Sequence, residues 1–300
     1  AGNLGALGGE VLKIEPPGGD AARDWPPQQH GQGYFFTLSN SDKRSVCLDL
    51  RGARDRDRFV ALLRDADVLV ENLKPGSLDR LGFDAAKRDP INPRLVYCAI
   101  SGFGADSVYP GRPAFDTVIQ AMAGIMDSIR VNGVPQKTGI SFADILGGLF
   151  ALVGTLGALV SRDRGSAGDA LDISMQDAAA WITQWQRPGS KQVDNTSLLR
   201  CADGYVVAQT WTGAEKEASE AARTTRKAFV DRLARRGIPA ACVQTIDEVA
   251  RCDQARARAL LPRVHDSAGR EWPVFASPIR LRATPAHALR AIGPLGEASV

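Results

Sequence analysis

Short apolar runs of strand length, separated by segments of helical period, constrain this chain more than any other feature. Val68-Leu69-Val70-Glu71-Asn72 and Leu95 to Ile100 (LVYCAI) are almost continuously hydrophobic, as strands buried on both faces are. Gly9 to Glu15 (GEVLKIE) alternates in polarity and ends at the loop Pro16-Pro17-Gly18-Gly19-Asp20. Ser45 to Leu50 (SVCLDL) and Ala170 to Ser174 (ALDIS) read as further strands, and Tyr34 to Leu38 as a short extended piece. Between them Arg54 to Asp65 puts Phe59, Leu62 and Leu63 on one helix face. Phe115 to Met126, Ile145 to Leu159 and Met175 to Trp185 are also expected to be helical, the second very apolar, with Gly147, Gly148, Gly154 and Gly157 permitting close packing. Parallel strands need crossover connections, so this alternation predicts an α/β fold with a parallel sheet.

Composition shifts at Gln186 to Asn195, a polar stretch with Pro188 and Gly189 that reads as a linker. Beyond it Tyr205 to Gln209 and Ala240 to Val243 are short strands. Lys216 to Arg236 is helical with Phe229 and Leu233 inward, Thr245 to Ala250 continues the region, and Trp272 to Arg282 is extended. The expected division is a large domain over 1–186, completed by 283–300, and a linker with a smaller α+β domain over 187–282.

Thirty-seven basic residues against 34 acidic ones give a net charge of +3, too balanced to argue for nucleic acid. No uncharged apolar run reaches the ~18–20 residues of a membrane span; the longest, Ile145 to Val160, ends in Ser161-Arg162-Asp163-Arg164, and no membrane association is expected. Five dispersed cysteines without a CxxC pair argue against a zinc or dithiol site and for a reducing, cytoplasmic setting. Gly-x-Ser-x-Gly, a Walker loop and a Gly-x-Gly-x-x-Gly after a strand are all absent, so no tightly bound cofactor of the usual kinds and no metal is expected.

Asp144 is the conspicuous chemical group. In Ile140-Ser141-Phe142-Ala143-Asp144-Ile145-Leu146-Gly147-Gly148 it precedes an almost wholly apolar helix. A helix cap accounts for an aspartate there; so does a catalytic carboxylate whose developing oxyanion the helix N-terminus stabilises. Asp116, in Pro113-Ala114-Phe115-Asp116-Thr117, also starts a helix, with Gln120 one turn later, and is the second candidate. Lys43-Arg44, Arg51 and Arg54 follow strands, while Arg80 and Lys137 are isolated. Three or four of these converging would suit a polyphosphate ligand; scattered solvated charges are the alternative.

GEVLKIEPPGGDAAR (Gly9 to Arg23), NSDKRSVCLDLRG (Asn40 to Gly52), ADVLVENLKPGSLDRLGF (Ala66 to Phe83) and PAFDTVIQA (Pro113 to Ala121) occur in the order found in family III CoA-transferases. ALDISMQDA and Pro294-Leu295-Gly296-Glu297 follow suit, so the chain resembles that family over nearly its whole length. The resemblance implies a Rossmann-like large domain with a small one, and two chains interlocked as a homodimer. It implies that Asp144 attacks an acyl-CoA thioester and that CoA then passes through an aspartyl intermediate to a carboxylic acid acceptor. It places Asp116 at an active-site acidic position and matches Leu48, Arg51, Asn72, Leu73 and Arg80 to positions that cradle CoA, a substrate here and not a bound cofactor. The family's racemase branch needs a histidine near Ala114, and no His lies between His30 and His265, so transfer is preferred to α-proton exchange. The chain departs from the family in lacking the opening strand before Ala1, a Gly-rich loop between Gln186 and Cys201, and a full helical region around Trp211 to Arg226. A racemase-like enzyme and a truncated, non-catalytic CoA-binding homologue are the alternatives.

Overall fold

The computed structural model describes residues 1–185, 196–209, 213–284 and 290–298. The chain divides into two compact units, Ala1–Trp185 with Pro262–Val300, and Gln186–Leu261.

The first unit is built on parallel strands. β1 (Val11–Glu15) pairs with β2 (Lys43–Cys47), ending on the register Glu15 to Cys47. A helix α1 (Tyr34–Asn40) lies between them in sequence, and α2 (Ala53–Asp65) leads from β2 to β3 (Val68–Glu71). β4 (Val96–Ser101) is the centre of a second parallel sheet, flanked by β3 and by β5 (Ala170–Ser174). The connection from β4 to β5 carries α3 (Asp116–Met122) and α4 (Phe142–Asp163), and α5 (Met175–Ile182) follows β5. The expected α/β character is therefore present, as a two-stranded and a three-stranded parallel sheet. Val46, Leu48, Phe59, Leu63, Leu78, Phe83 and Leu95 make the larger core, where the Phe59 and Phe83 rings meet edge-on at 4.8 Å. A second cluster of Ile119, Ala123, Ile125, Ala143, Met175 and Ala179 lies under the start of α4.

Tyr34 to Leu38 is helical, not extended. The α1 turn sends Phe36 and Thr37 inward, and the helix closes with Asn40 Nδ2 donating to Phe36 O and Ser41 Oγ to Thr37 O. The helix expected over Phe115 to Met126 breaks at Gly124, whose φ of 83° a side chain would resist, and resumes as the turn Ile125–Ser128. α4 is longer than the expected Ile145 to Leu159 because Phe142, Ala143 and Asp144 join it at one end and Val160 to Asp163 at the other. At 22 residues, with a mean hydropathy of 1.9 over its most apolar 18-residue window, it is long and apolar enough to cross a membrane by length and composition alone. Here it lies on β4 and β5 through its small residues. A Cβ on Gly154 would stand 2.6 Å from Leu171 Cδ2 and one on Gly147 3.0 Å from Met175 Cγ, whereas Gly148 and Gly157 face open space. At its far end Arg162 pairs with Asp67 at 2.9 Å and donates to Arg94 O.

The chain returns to the first unit at Pro262, where the sequence placed the return at 283. The reason is the hairpin of Arg263–His265 with Glu271–Pro273, whose Trp272 is buried with Val264, Val274 and Ala291 and meets His30 edge-on. Of the stretch expected to be extended over Trp272 to Arg282, Trp272 and Pro273 are the residues paired as strand among those described.

The second unit is an antiparallel three-stranded sheet of Thr196–Cys201, Gly204–Gln209 and Ala240–Cys242. Helix Arg226–Arg235 contributes Phe229 and Leu233 to a core with Leu199, Cys201, Val206 and Ala208. Thr196–Cys201 went unread because Arg200 interrupts its apolar run, although Leu199 and Cys201 alternate inward. The single helix expected over Lys216 to Arg236 is broken by Thr225, whose hydroxyl caps a new helix at Ala228 N. The linker Gln186 to Asn195, and most of the segment searched for a Gly-rich loop, lie outside the described residues.

Candidate active site

α4 runs antiparallel to the strands it covers, so its N-terminus comes to the carboxyl ends of β3, β4 and β5. That edge is where open α/β sheets hold ligands. Asp144 does not precede the helix as a cap: Ser141 holds the cap position, without a side-chain bond, and Asp144 is the third residue of the first turn. Its carboxylate accepts no hydrogen bond from a described residue. The residue keeps exposed surface, yet the surrounding protein desolvates the carboxyl enough to raise its pKa above the ordinary value; the charge of Asp116 adds to the rise and Lys137 opposes it. The helix N-terminus favours negative charge at this place by about 0.3–1 kcal/mol. A carboxylate with no donor to satisfy it, partly desolvated at a helix N-terminus, is equipped to attack an electrophilic carbonyl.

Asp116 is a different kind of group. It begins α3 and is 6% exposed. Its Oδ1 accepts the amide of Ala143 at 2.9 Å, so it caps α4 in place of its own helix. Its Oδ2 accepts from Gln120 Nε2 at 2.7 Å and lies 3.4 Å from Lys137 Nζ. Gln120 is fully buried; Nε2 also donates to Ile140 O, and Oε1 accepts Thr138 N at 3.1 Å. Lys137, isolated in the sequence, belongs to this cluster with Gln120, and Thr138 is a member that the sequence does not announce. The available signal was the i, i+4 spacing of Asp116 and Gln120.

The residues matched to a CoA cradle follow the ends of β2 and β3, strands of two separate sheets. Asn72 follows β3 and donates Nδ2 to Ile100 O at 2.6 Å. Ile100 in turn packs within 3.6 Å of a Cβ built on Gly147, one turn beyond Asp144, so Asn72 and Asp144 share one edge of the three-stranded sheet. Leu73 is exposed, its amide held by Glu71 Oε2. Arg80 sits on the short helix Ser77–Arg80 and donates to Ser77 Oγ. Leu48 and Arg51 follow β2: Leu48 is buried in the core with its amide on Glu15 O, and Arg51 is exposed and paired with Asp49. Lys43 and Arg44 do not join Arg51, since they open β2 and Arg51 lies beyond its far end. Lys43 turns to Ser39 O and Asn40 Oδ1, and Arg44 to Glu10. Ala114 packs where a Cβ on Gly102 would collide with it.

An acetyl-CoA:oxalate CoA-transferase from Acetobacter aceti is 42% identical over 181 residues, 59% of this chain and 46% of that protein. A succinyl-CoA:mesaconate CoA-transferase from Haloarcula hispanica is 35% identical over 187 residues, 58% of this chain and 47% of its own length. The chain thus spans somewhat less than half of the curated relatives it matches. The crystal structure of a CAIB/BAIF family protein from Brucella suis superimposes with a TM-score of 0.86 at 29% identity, covering 98% of this chain and 91% of that one. The sequence profile of CoA-transferase family III matches residues 1–219 and 214–299, nearly every position, and the chain belongs to that family.

Proposed function

We propose that this protein moves CoA from an acyl-CoA donor to a carboxylic acid acceptor, with Asp144 as the nucleophile. The observation that carries the reading is the contrast at the head of α4: Asp144 is open and unpartnered, whereas every oxygen of Asp116 beside it is engaged. One Asp144 oxygen attacks the thioester carbonyl, the C–S bond breaks, CoA leaves as thiolate and a mixed anhydride remains. The thiolate then attacks the aspartyl carbonyl, expelling the donor acid as its carboxylate and leaving an aspartyl-CoA thioester. The acceptor carboxylate displaces the thiolate to form a second anhydride, and the thiolate attacks the acceptor carbonyl, releasing the new acyl-CoA and free Asp144. Leu48, Arg51, Asn72, Leu73 and Arg80 are assigned to the CoA side; of these Asn72 shares the sheet edge at which Asp144 stands. The two relatives above are named for oxalate and mesaconate, both dicarboxylates, which makes oxalate with acetyl-CoA the first pair to test. The working enzyme is taken to be a cytoplasmic homodimer with CoA as substrate and no tightly bound cofactor.

Incubation with acetyl-CoA or succinyl-CoA and hydroxylamine should convert Asp144 to a hydroxamate, located by peptide mass spectrometry. Asp144→Ala should lower CoA transfer by on the order of 10³-fold or more. A wild-type rate retained by that variant would overturn the assignment.

A further inference from the structure

The reading of Asp144 as nucleophile requires something to hold it, and its own helix does not. The cap residue Ser141 makes no side-chain bond to the first turn of α4. The Ala143 amide is instead taken by a buried carboxylate from another helix. We propose that Asp116, Gln120 and Lys137 form a positioning device for Asp144: Asp116 clamps the first turn of α4, Gln120 fixes the approach to it, and Lys137 supplies the positive charge that lets two carboxylates share one helix end. The inference rests on the nucleophile reading for its purpose, but its geometry is independent of it.

Both oxygens of Asp116 are engaged by the protein. Its Oδ1 is on Ala143 N, its Oδ2 is on Gln120 and near Lys137, and it is 6% exposed. Gln120 spans between Asp116 and the loop at 138–140, bonding Ile140 O and Thr138 N with opposite ends of one amide. The Thr138 hydroxyl, 2.6 Å from Ile140 O, closes the same turn. The segment that delivers Ser141 and Asp144 is therefore fixed from beneath. Lys137 reaches this buried pair from the solvent side, with its Nζ also on Thr138 O. The other elements packed on α4 bring Tyr97 and Cys98 on β4, Asp172 on β5 and Asp177 on α5; the charges that move Asp144 are Asp116 and Lys137. All three device residues act through Asp144 and are positioning residues.

The test is a ¹³C NMR titration of the full chain labelled at the aspartate carboxyl carbon, with Asp144→Asn assigning the resonance. Lys137→Met removes a favourable charge, so Asp144 should titrate at higher pH than in the wild type, and Lys137→Arg should restore the wild-type curve. Asp116→Asn removes a like charge, so Asp144 should titrate at lower pH, while the new amide sets N–H donors against Gln120 and Lys137 or against Ala143 and loosens the turn. Where hydroxamate forms, its acid limb should follow: about 3- to 10-fold slower for Lys137→Met, and near wild type for Lys137→Arg. A general structural role would lower rates without moving the two titrations in opposite directions. An Asp144 titration unmoved by Lys137→Met, a half-exposed change that the fold tolerates, overturns the proposal. If the titrations move as stated but wild type forms no hydroxamate, the nucleophile reading fails and the positioning device stands.

Discussion

Two carboxylates at strand-end positions of the first unit have opposite surroundings. Glu15, the last residue of β1, is 1% exposed. Arg23 grips it with two bonds of 2.7 and 2.8 Å, Ser45 Oγ donates at 2.6 Å and the Asp20 amide at 3.0 Å. Burial is the largest single influence and pushes its pKa up, but the bonds from Arg23, Ser45 and Asp20 together hold it below the ordinary value. Asp144, at the head of α4, is more exposed and has no donor, and its pKa is raised. The deeper carboxylate is the easier one to ionise because its donors are built in. Full satisfaction marks Glu15 as structural, and the missing donors at Asp144 mark a group kept free for something else.

The comparison breaks most visibly at Arg23. Arg23→Met should leave Glu15 buried and unpaired, at a cost of about 3–5 kcal/mol in denaturant unfolding near neutral pH. The stability that Glu15 contributes is present above 4.5, its ordinary pKa, and is lost as pH falls through its lower folded value; most of the Arg23→Met deficit should vanish in acid. A smaller effect is expected where α4 seats on the sheet. Gly154→Ala sets a methyl against Leu171 and should cost about 1–3 kcal/mol, leaving the Glu15 region untouched. The smallest change has the opposite sign. Asp144→Asn removes a carboxylate whose ionisation the fold resists, and should raise stability by less than about 1 kcal/mol while ending CoA transfer. Because the folded pKa of Asp144 lies above 3.8, that gain should be full above the folded value and disappear below 3.8. An Asp144→Asn variant less stable than wild type at neutral pH would erase the distinction between the two carboxylates.

The strands of the first unit were legible because the apolar runs of β3 and β4 are unbroken, although β3 is only half-buried. Ala170 to Ser174 coincides with β5 to the residue. Thr196–Cys201 was illegible because one of its faces is wet and an arginine stands in it. α1 was misread since Phe36 buries against Lys13 and Arg23, contacts far off in sequence that no local pattern announces. Asp144 was visible from its apolar neighbours, but its helical position was not: Asp116 supplies the cap from another helix, and a local search for a capping side chain finds only Ser141. The Gln120 link to Thr138 is equally non-local.

β2 is finished late. Ser45 accepts the Gly296 amide on its hydroxyl and the Ala298 amide on its carbonyl, partners about 250 positions downstream. At a synthesis rate of roughly 5–20 residues per second, the strand waits some 12–50 s on the ribosome before these amides exist. Everything under Asp144, from β3 to α5, is complete well before then. The nascent chain thus completes the segment that carries Asp144 before it closes the seam beside Glu15, and in that interval β2 is the strand exposed to proteases and to pairing with a stranger's strand.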